Sequence, residues 1–215
     1  MLTARKVARR SARGRRRDPR VAILNAARAL CLAHGAGAIS ARKIAARVGC
    51  SATTLYLYYR NLDDLLHHLR MEGHALLAEA FAAIDESVPA LERIRAMGRA
   101  YYGFGTAQRA YYDLMFGARS STSLRREVVQ REMYTLLVLR DVVRSGMDAG
   151  EIRRDLDPMV VTNALWAEIH GVTALAVSGM LMQTAADHDA DVLEAILDAA
   201  VRWLRPNGAD DGVAE

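Results

Sequence analysis

From Asp18 onward, the apolar residues of this 215-residue chain recur at spacings of three and four, and no run of them alternates with period two. Spacing of this kind aligns apolar side chains along one face of an α-helix, whereas a half-buried strand requires alternation. The pattern therefore predicts an all-α fold. Apolar residues make up 52% of the chain, which is enough for a packed core and excludes wholesale disorder.

Capping residues divide this pattern into separate helices. Asp18-Pro19 and Asp157-Pro158 each place a capping aspartate before a proline, whose backbone suits the first helical position. Ser40, Ser51 and Asn61 are further candidate caps. Together these signals predict helices over residues 19–34, 41–48, 52–59, 61–84, 90–104, 108–117, 123–149, 158–182 and 190–204.

The charged residues are distributed unevenly along the chain. Residues 1–70 carry 15 Lys and Arg against 3 Asp and Glu, whereas residues 71–215 carry 14 against 22. The basic part suits a polyanion, with nucleic acid as the first expectation and an anionic membrane surface as the second. We expect the Arg-rich residues 1–17 to form a disordered arm. It is either a solvated tail that adds non-specific affinity or an arm that enters a DNA minor groove.

Two short predicted helices within the basic part are separated by Gly49-Cys50-Ser51. Ile44, Val48 and Leu55 supply apolar contacts between them. Gly49 stands where a sharp turn requires a left-handed backbone, which glycine adopts without strain. This arrangement is typical of a helix-turn-helix, whose second helix enters the DNA major groove. The alternative is a plain helical hairpin, and the surrounding positive charge favours DNA binding.

The segment IAARVGCSATTLYLYYRNLDDLL resembles the DNA-binding domain of the TetR family of bacterial transcriptional regulators. The resemblance covers roughly residues 20–70. It implies an all-α homodimer with three N-terminal helices for DNA and a C-terminal bundle for dimerisation and ligand binding. The family often has lysine in place of Leu62, so one phosphate contact is lost or passes to Arg60. By this resemblance, the other residues that face DNA are Ser40, Arg42, Ala52, Thr53, Thr54, Tyr56 and Tyr58.

The chemistry of these side chains agrees with that assignment. Arg42 has the paired donors that recognise guanine, so it is the candidate for base recognition. Thr53 and Thr54 suit phosphates or thymine methyl groups, and the hydroxyl groups of Tyr56 and Tyr58 suit phosphates. Because one domain reads few base pairs, we expect a dimer on a pseudo-palindromic operator with half-sites about 34–36 Å apart, or a multiple of that distance.

The remainder of the chain is expected to form a second domain. The predicted organisation is a basic arm over 1–17, a helix-turn-helix domain over 18–66, a dimerisation and ligand-binding domain over 67–205, and a disordered tail over 206–215. Within the second domain, small residues recur at helical spacing at Ala164, Ala167, Gly171, Ala174 and Ser178. Apolar residues flank this stripe and follow on the last helix: Leu165, Val172, Leu175, Val192, Ile196, Ala199 and Trp203.

Such a stripe permits close approach of another helix, and it predicts a homodimer through the last two helices across a two-fold axis. The alternative is that the stripe packs within its own chain. The stretch from Trp166 to Gly171 resembles a Trp-to-His-Gly stretch in one C-terminal subgroup of the same family. That resemblance implies a dimer with a ligand sensor and names no ligand.

Aromatic and methionine residues of the second domain line an apolar pocket or form the core, and their spacing leaves both alternatives open. The candidate ligand-binding residues are Met97, Tyr101, Tyr111, Met115, Phe116, Tyr134, Trp166 and His170. His170 and one tyrosine are the polar candidates. A small apolar or aromatic ligand is therefore expected.

Enzyme and metal chemistry find little support. His67 and His68 are adjacent, so their side chains point about 100° apart on a helix and cannot share a metal ion. There is no glycine-rich phosphate loop or nucleophile elbow, and we expect no catalysis, metal or cofactor. Cys31 and Cys50 form no CxxC, which indicates a reduced intracellular setting. The quiet stretch from residue 171 to 182 is too short to span a membrane.

These observations predict a cytoplasmic, homodimeric DNA-binding regulator that a small apolar ligand releases from its operator. The family resemblance makes repression the expected mode of regulation. One alternative is a DNA-binding regulator without a small-molecule effector, controlled by a protein partner or by abundance. Another is a bundle whose basic arm binds membranes or RNA.

Overall fold

The computed structural model describes residues 18–117, 133–182 and 189–206, and all regular structure in these ranges is helical. The helices are α1 (Pro19–His34), α2 (Ala41–Val48), α3 (Ala52–Leu55), α4 (Leu62–Ala82), α5 (Ala90–Ala107), α6 (Arg109–Phe116), α7 (Tyr134–Ala149), α8 (Pro158–Ser178) and α9 (Asp189–Leu204), with a 3-10 turn at Ala36–Ala38. The predicted all-α fold is confirmed. The predicted arm, the predicted tail beyond residue 206 and the start of the helix predicted from 123 lie outside the described residues.

The chain divides into two compact units, Met1–Leu69 and Arg70–Glu215. We placed this division slightly earlier, between residues 66 and 67. Helix α4 runs through both positions, so no change of secondary structure marks the division.

Helix α1 of the first unit begins at the predicted cap. The Asp18 carboxylate accepts a hydrogen bond from the Arg20 N–H at 2.9 Å, and proline follows the cap. Helix α1 packs on α2, and α2 packs on α3. The apolar faces of these helices, together with the start of α4, bury Ile23, Ala27, Ile44, Leu55 and Leu65.

In the second unit, α5, α7, α8 and α9 pack together, and α6 lies against α5. Helices α5 and α7 approach closely at Gly146, where a Cβ would lie 2.6 Å from the Ala90 Cβ and 2.6 Å from the Ile152 Cδ1. Only glycine fits this crossing without movement of a helix.

Helix α8 ends at Ser178, before the predicted end at residue 182. Gly179 takes a left-handed φ of 71°, and its N–H donates to carbonyls of the last turn. This is a glycine C-cap, which terminates a helix whatever the apolar character of the residues that follow.

Helix α8 has 21 residues and a mean hydropathy of 1.3 over its most apolar window, so by length and composition alone it is long enough to cross a membrane. The stretch from residue 171 to 182, which we judged too short to span a membrane, overlaps only the last part of this helix. The apolar character of α8 has a local cause, because it contributes to the core of the second unit through Val161, Leu165, Ile169, Val172 and Val177.

Candidate DNA interface and internal cavity

Helices α2 and α3 are joined by the tight turn Gly49-Cys50-Ser51. The hydroxyl of Ser40 accepts a hydrogen bond from the backbone N–H three residues on, at 3.3 Å, and Ser51 does the same at 3.1 Å. Gly49 adopts the left-handed conformation with φ of 77° and ψ of 35°. The two serine caps and the glycine together fix the path from one helix to the next.

Helix α3 contains only Ala52–Leu55, whereas we predicted a helix through Tyr59. From Tyr56 to Tyr58, each backbone N–H donates to the carbonyl three residues back, and the Tyr59 N–H donates to the Leu55 carbonyl at 3.1 Å. This tighter winding places the Tyr59 ring in the core, where it is 2% exposed and its hydroxyl donates to the Arg20 carbonyl at 3.0 Å. A tertiary contact therefore determines how the segment ends.

The same tyrosine holds three elements of the first unit together. The Arg20 guanidinium lies 4.9 Å from the centre of the Tyr59 ring, and its Nη2 lies 3.1 Å from the Nε2 of His68 on α4. The rings of Tyr59 and His68 meet edge to face, with centroids 5.6 Å apart. Burial raises the pKa of the Tyr59 hydroxyl, which favours its protonated, donating form.

The predicted DNA-facing residues fall into two groups. Arg42, Thr53, Tyr56 and Arg60 are exposed, whereas Ser40, Ala52, Thr54 and Tyr58 are half-buried. The hydroxyl of Thr54 lies 2.9 Å from that of Ser51, so it already serves the cap of α3. The Arg60 guanidinium lies 3.2 Å from the carboxylate of Asp64, but its side chain is 88% exposed and remains accessible to a phosphate.

Helix α2 presents a cationic surface. Its Arg42, Lys43 and Arg47 are exposed, the helix contains no acidic residue, and these three side chains form no ion pair within the described ranges. We did not single out Lys43 and Arg47 from the sequence. Helical spacing could have identified both residues as exposed, because neither lies on the face of α2 that buries Ile44 and Ala45.

Leu57 is a further exposed residue that we did not single out. Its side chain is 77% exposed, between Tyr56 at 48% and the half-buried Tyr58. Because Leu55 and Tyr59 are both buried, the residue midway between them must point away from the core.

The second unit contains a partly open apolar cavity of about 50 Å³, the inner cavity, lined by side chains from α4 to α9. Among the candidate ligand-binding residues, Met97, Tyr101, Phe116 and Trp166 line this cavity, and Tyr111, Met115, Tyr134 and His170 do not. The Tyr111 hydroxyl instead donates to Glu72 at 3.1 Å, Met115 is 5% exposed in the core, and the Tyr134 ring lies 5.7 Å from that of His74.

His170 connects to the cavity through hydrogen bonds. Its Nδ1 lies 2.9 Å from the Tyr101 hydroxyl and 3.0 Å from the Tyr112 hydroxyl. The indole N–H of Trp166 donates to the Tyr101 oxygen at 3.4 Å, which leaves the Tyr101 hydrogen available for His170. Accepting from a tyrosine at Nδ1 requires the neutral imidazole that carries its hydrogen on Nε2.

Burial determines the protonation of this cluster. It lowers the pKa of His170, which favours the neutral ring, and it raises the pKa of Tyr112 to about 12 and that of Tyr101 further still. The cluster is therefore uncharged near neutral pH. On the same helix, burial raises the pKa of Glu168, another residue that borders the cavity.

Some of the predicted dimer residues lie on a surface formed by α8 and α9, and others lie in the core. Ala167 and Ser178 are exposed, and Ala164, Gly171 and Ala174 are half-buried. A Cβ at Gly171 would meet no atom within 4 Å in the described part of the chain. Beside the stripe, Leu175 is 43% exposed and Val192 is 38% exposed, whereas Leu165 and Val172 belong to the core.

No group of three or more His, Cys, Asp or Glu side chains within residues 18–117, 133–182 and 189–206 is arranged to hold a metal ion.

Two family models match this chain. Residues 23–69 match bacterial regulatory proteins of the tetR family, and residues 94–200 match the tetracyclin repressor-like C-terminal domain. The first match contains the whole of the α2–α3 segment, and the second contains most of the residues around the inner cavity.

Individual proteins are also similar to this chain. HTH-type transcriptional regulators of Mycobacterium tuberculosis and Mycobacterium bovis are 30% identical over 112 residues, which span 49% of this chain and 48% of theirs. The match therefore spans about half the length of these relatives. A Rhodococcus protein of unknown function has a similar fold, with a TM-score of 0.71, 26% identity, and coverage of 87% of this chain and 96% of that one.

The fold also resembles that of the transcriptional regulator FadR of Bacillus subtilis in complex with stearoyl-CoA, with a TM-score of 0.67. The two are 18% identical, and the alignment covers 86% of this chain and 99% of that chain.

Proposed function

The chain belongs to the TetR family of bacterial transcriptional regulators, which bind DNA, and we propose that it is a homodimeric repressor that a small apolar molecule releases from its operator. The observation that carries the proposal is the α2–α3 segment. Its turn is fixed by two serine caps and a left-handed glycine, and an acid-free cationic helix lies beside it.

On DNA, the exposed residues of this segment divide between base and phosphate contacts. The guanidinium of Arg42, which forms no ion pair with any described residue, suits the O6 and N7 atoms of guanine, and Thr53 and Leu57 suit thymine methyl groups. Tyr56 and Arg60 suit phosphate oxygens, which position the protein without reading sequence.

The α8–α9 surface supports the dimer. Small residues permit close helix contact at Gly171, and the apolar Leu175 and Val192 lie exposed beside it. A two-fold axis through this surface would present two α3 segments to a pseudo-palindromic operator.

Release requires that a ligand bind one dimer geometry better than the other, because a ligand with equal affinity for both shifts nothing. The inner cavity supports an apolar ligand. The complex of the Bacillus subtilis regulator with stearoyl-CoA is a precedent on the same fold. A regulator of this type would act in the cytoplasm, where its operator lies.

The DNA contact is tested with Arg42→Ala. We expect affinity for a selected operator to fall by about 1–3 kcal/mol, roughly 5- to 150-fold, because a paired contact to guanine is lost. The matched control is Arg109→Ala, which removes an exposed arginine from the second unit. Operator affinity that Arg42→Ala leaves unchanged would refute the assignment of this face.

The alternative is a regulator without a small-molecule effector, controlled by a protein partner or by abundance. Thermal unfolding of the purified protein against apolar compounds separates the two, because a ligand that binds only the folded state raises the melting temperature. A compound that raises it and also releases the operator supports the proposal. If the compounds that raise it leave DNA binding unchanged, the alternative is favoured.

A further inference from the structure

A second space lies next to the inner cavity. This outer groove has a volume of about 170 Å³ and is bordered by residues of α4, α5, α7 and the loop after α4, among them Ile84, Glu86, Arg93 and Val142. The two spaces share Phe81 and Met97 in their walls. The walls of the two spaces therefore meet at these two side chains.

Both shared side chains are able to move. Phe81 is half-buried near the end of α4 and packs against both core clusters of the second unit. Met97 is 5% exposed, and methionine has three rotatable bonds and adapts readily to new neighbours. Rotation of both side chains would join the inner cavity to the outer groove without movement of a helix.

The inner cavity is too small to hold a whole ligand by itself. Its volume of about 50 Å³ is well below the roughly 150 Å³ of an apolar cavity that accepts benzene. Its walls are almost entirely apolar, so they suit the hydrocarbon part of a ligand better than a charged or polyhydroxylated part. A ligand that fills it with hydrocarbon must extend beyond it, and the outer groove, which shares two wall residues with it, is an adjoining space into which the ligand can extend.

The arginines that border the two spaces differ in whether a carboxylate already pairs with them. Arg95, which borders the inner cavity, lies 2.5 Å from the Asp198 carboxylate and is therefore already paired. Arg93, which borders the outer groove, has no carboxylate within 4.0 Å in the described ranges. Glu86 borders the same groove and is exposed. A head group that is anionic would therefore gain from Arg93 and be opposed by Glu86.

We infer that the inner cavity and the outer groove form one elongated site for an amphipathic anion. Its hydrocarbon chain fills the inner cavity past Phe81 and Met97, and its anionic head, a carboxylate or a phosphate, binds Arg93 at the groove. This inference rests on the proposed function, because it specifies the class of ligand that would release the operator.

The test measures binding of straight-chain probes to the purified full-length chain by isothermal titration calorimetry. The probes are octanoate, decanoate, dodecanoate, dodecyl phosphate, dodecanol and dodecylamine, each below its micelle concentration. We expect affinity to rise about fourfold per methylene from octanoate to dodecanoate, because each added methylene is buried in the joined site. The stoichiometry should be one molecule per chain, and dodecanol should compete with dodecanoate.

The head group is tested with three variants. We expect the parent chain to bind dodecanoate or dodecyl phosphate at least about tenfold more tightly than dodecanol, as for a hydrogen bond to a charged group. Whichever of the two anions binds more tightly identifies the head group. Arg93→Gln should remove this preference and leave dodecanol affinity unchanged, and Glu86→Gln should strengthen the preference. Arg109→Gln is the matched control and should change neither.

Three results would overturn the inference: dodecylamine binding more tightly than dodecanoate, an anion preference that survives Arg93→Gln, or affinity that stops rising at octanoate. A parallel operator-release assay keeps this failure separate from failure of the proposed function. If dodecanol or another neutral apolar compound releases the operator without any role for Arg93, the proposed function stands and the anionic ligand class is wrong.

Discussion

Replacement of Gly171 by leucine tests the dimer surface, because the single chain offers no reason for the substitution to be harmful. A Cβ at this position would meet no atom within 4 Å in the described ranges, and the residue lies in the middle of α8. Relative to glycine, leucine or alanine in a helix interior favours the helix by roughly 0.5–1 kcal/mol. A chain that exposes this position to solvent would therefore become more stable.

If a partner helix packs on the stripe of small residues, the same substitution destabilises the protein instead. Extra methylenes forced into a packed contact cost about 1–3 kcal/mol, and a two-fold interface contains the substitution twice. We therefore expect Gly171→Leu to weaken the dimer by about 2–6 kcal/mol, a rise in dissociation constant of roughly 30-fold or more. Operator affinity should fall with it, because each protomer supplies one half-site contact.

The assay is sedimentation equilibrium over a wide range of protein concentrations, with operator binding measured on the same samples. Gly103→Leu is the control, since Gly103 is exposed on α5 and a Cβ there would also meet no atom within 4 Å in the described part of the chain. It should keep the dimer intact. A Gly171→Leu protein that remains dimeric at the lowest concentrations would refute the placement of the interface on α8.

Three further outcomes are expected. Gly146→Ala should lower the melting temperature, because the new Cβ would lie 2.6 Å from the Ala90 Cβ. We expect the free energy of unfolding to fall by about 1–3 kcal/mol. An unchanged melting temperature would refute the close crossing of α5 and α7. Tyr59→Phe should destabilise the first unit by about 0.5–1.5 kcal/mol in urea unfolding through loss of the hydrogen bond to the Arg20 carbonyl, whereas the exposed control Tyr56→Phe should not. Burial lowers the folded-state pKa of His170 below 6.5, so at acidic pH the unfolded chain binds more protons than the folded chain. The free energy of unfolding should therefore fall as the pH drops below about 6.5. A His170→Gln protein with the same dependence of stability on pH would contradict this.

Local signals in the sequence were sufficient for most of the fold. The capping hydrogen bonds of Asp18, Ser40 and Ser51 each join atoms within three residues of one another. The local sequence alone is therefore enough to predict them. The end of the α3 segment was not predictable in this way. It depends on the contact between Tyr59 and Arg20, which are 39 positions apart in the chain.

The candidate ligand site illustrates the same limit. Tyr111 and Tyr112 are neighbours with the same chemistry, yet the first donates to Glu72 and the second lies beside Nδ1 of His170. Residues adjacent on a helix point in different directions, and only the packing of α6 against the other helices determines which of them approaches His170. The outer groove, where Arg93 has no carboxylate partner among the described residues, was not expected for the same reason.

The measurement that tests the account most directly is selection of bound sequences from a random duplex pool by the purified protein at near-physiological salt. We predict recovery of a pseudo-palindrome with half-sites separated by one helical turn of DNA, about 34–36 Å, or a multiple of it. That result would establish sequence-specific binding by a dimer. Recovery of nothing beyond bulk duplex would contradict the account, because it would reduce the cationic α2–α3 surface to charge-driven association.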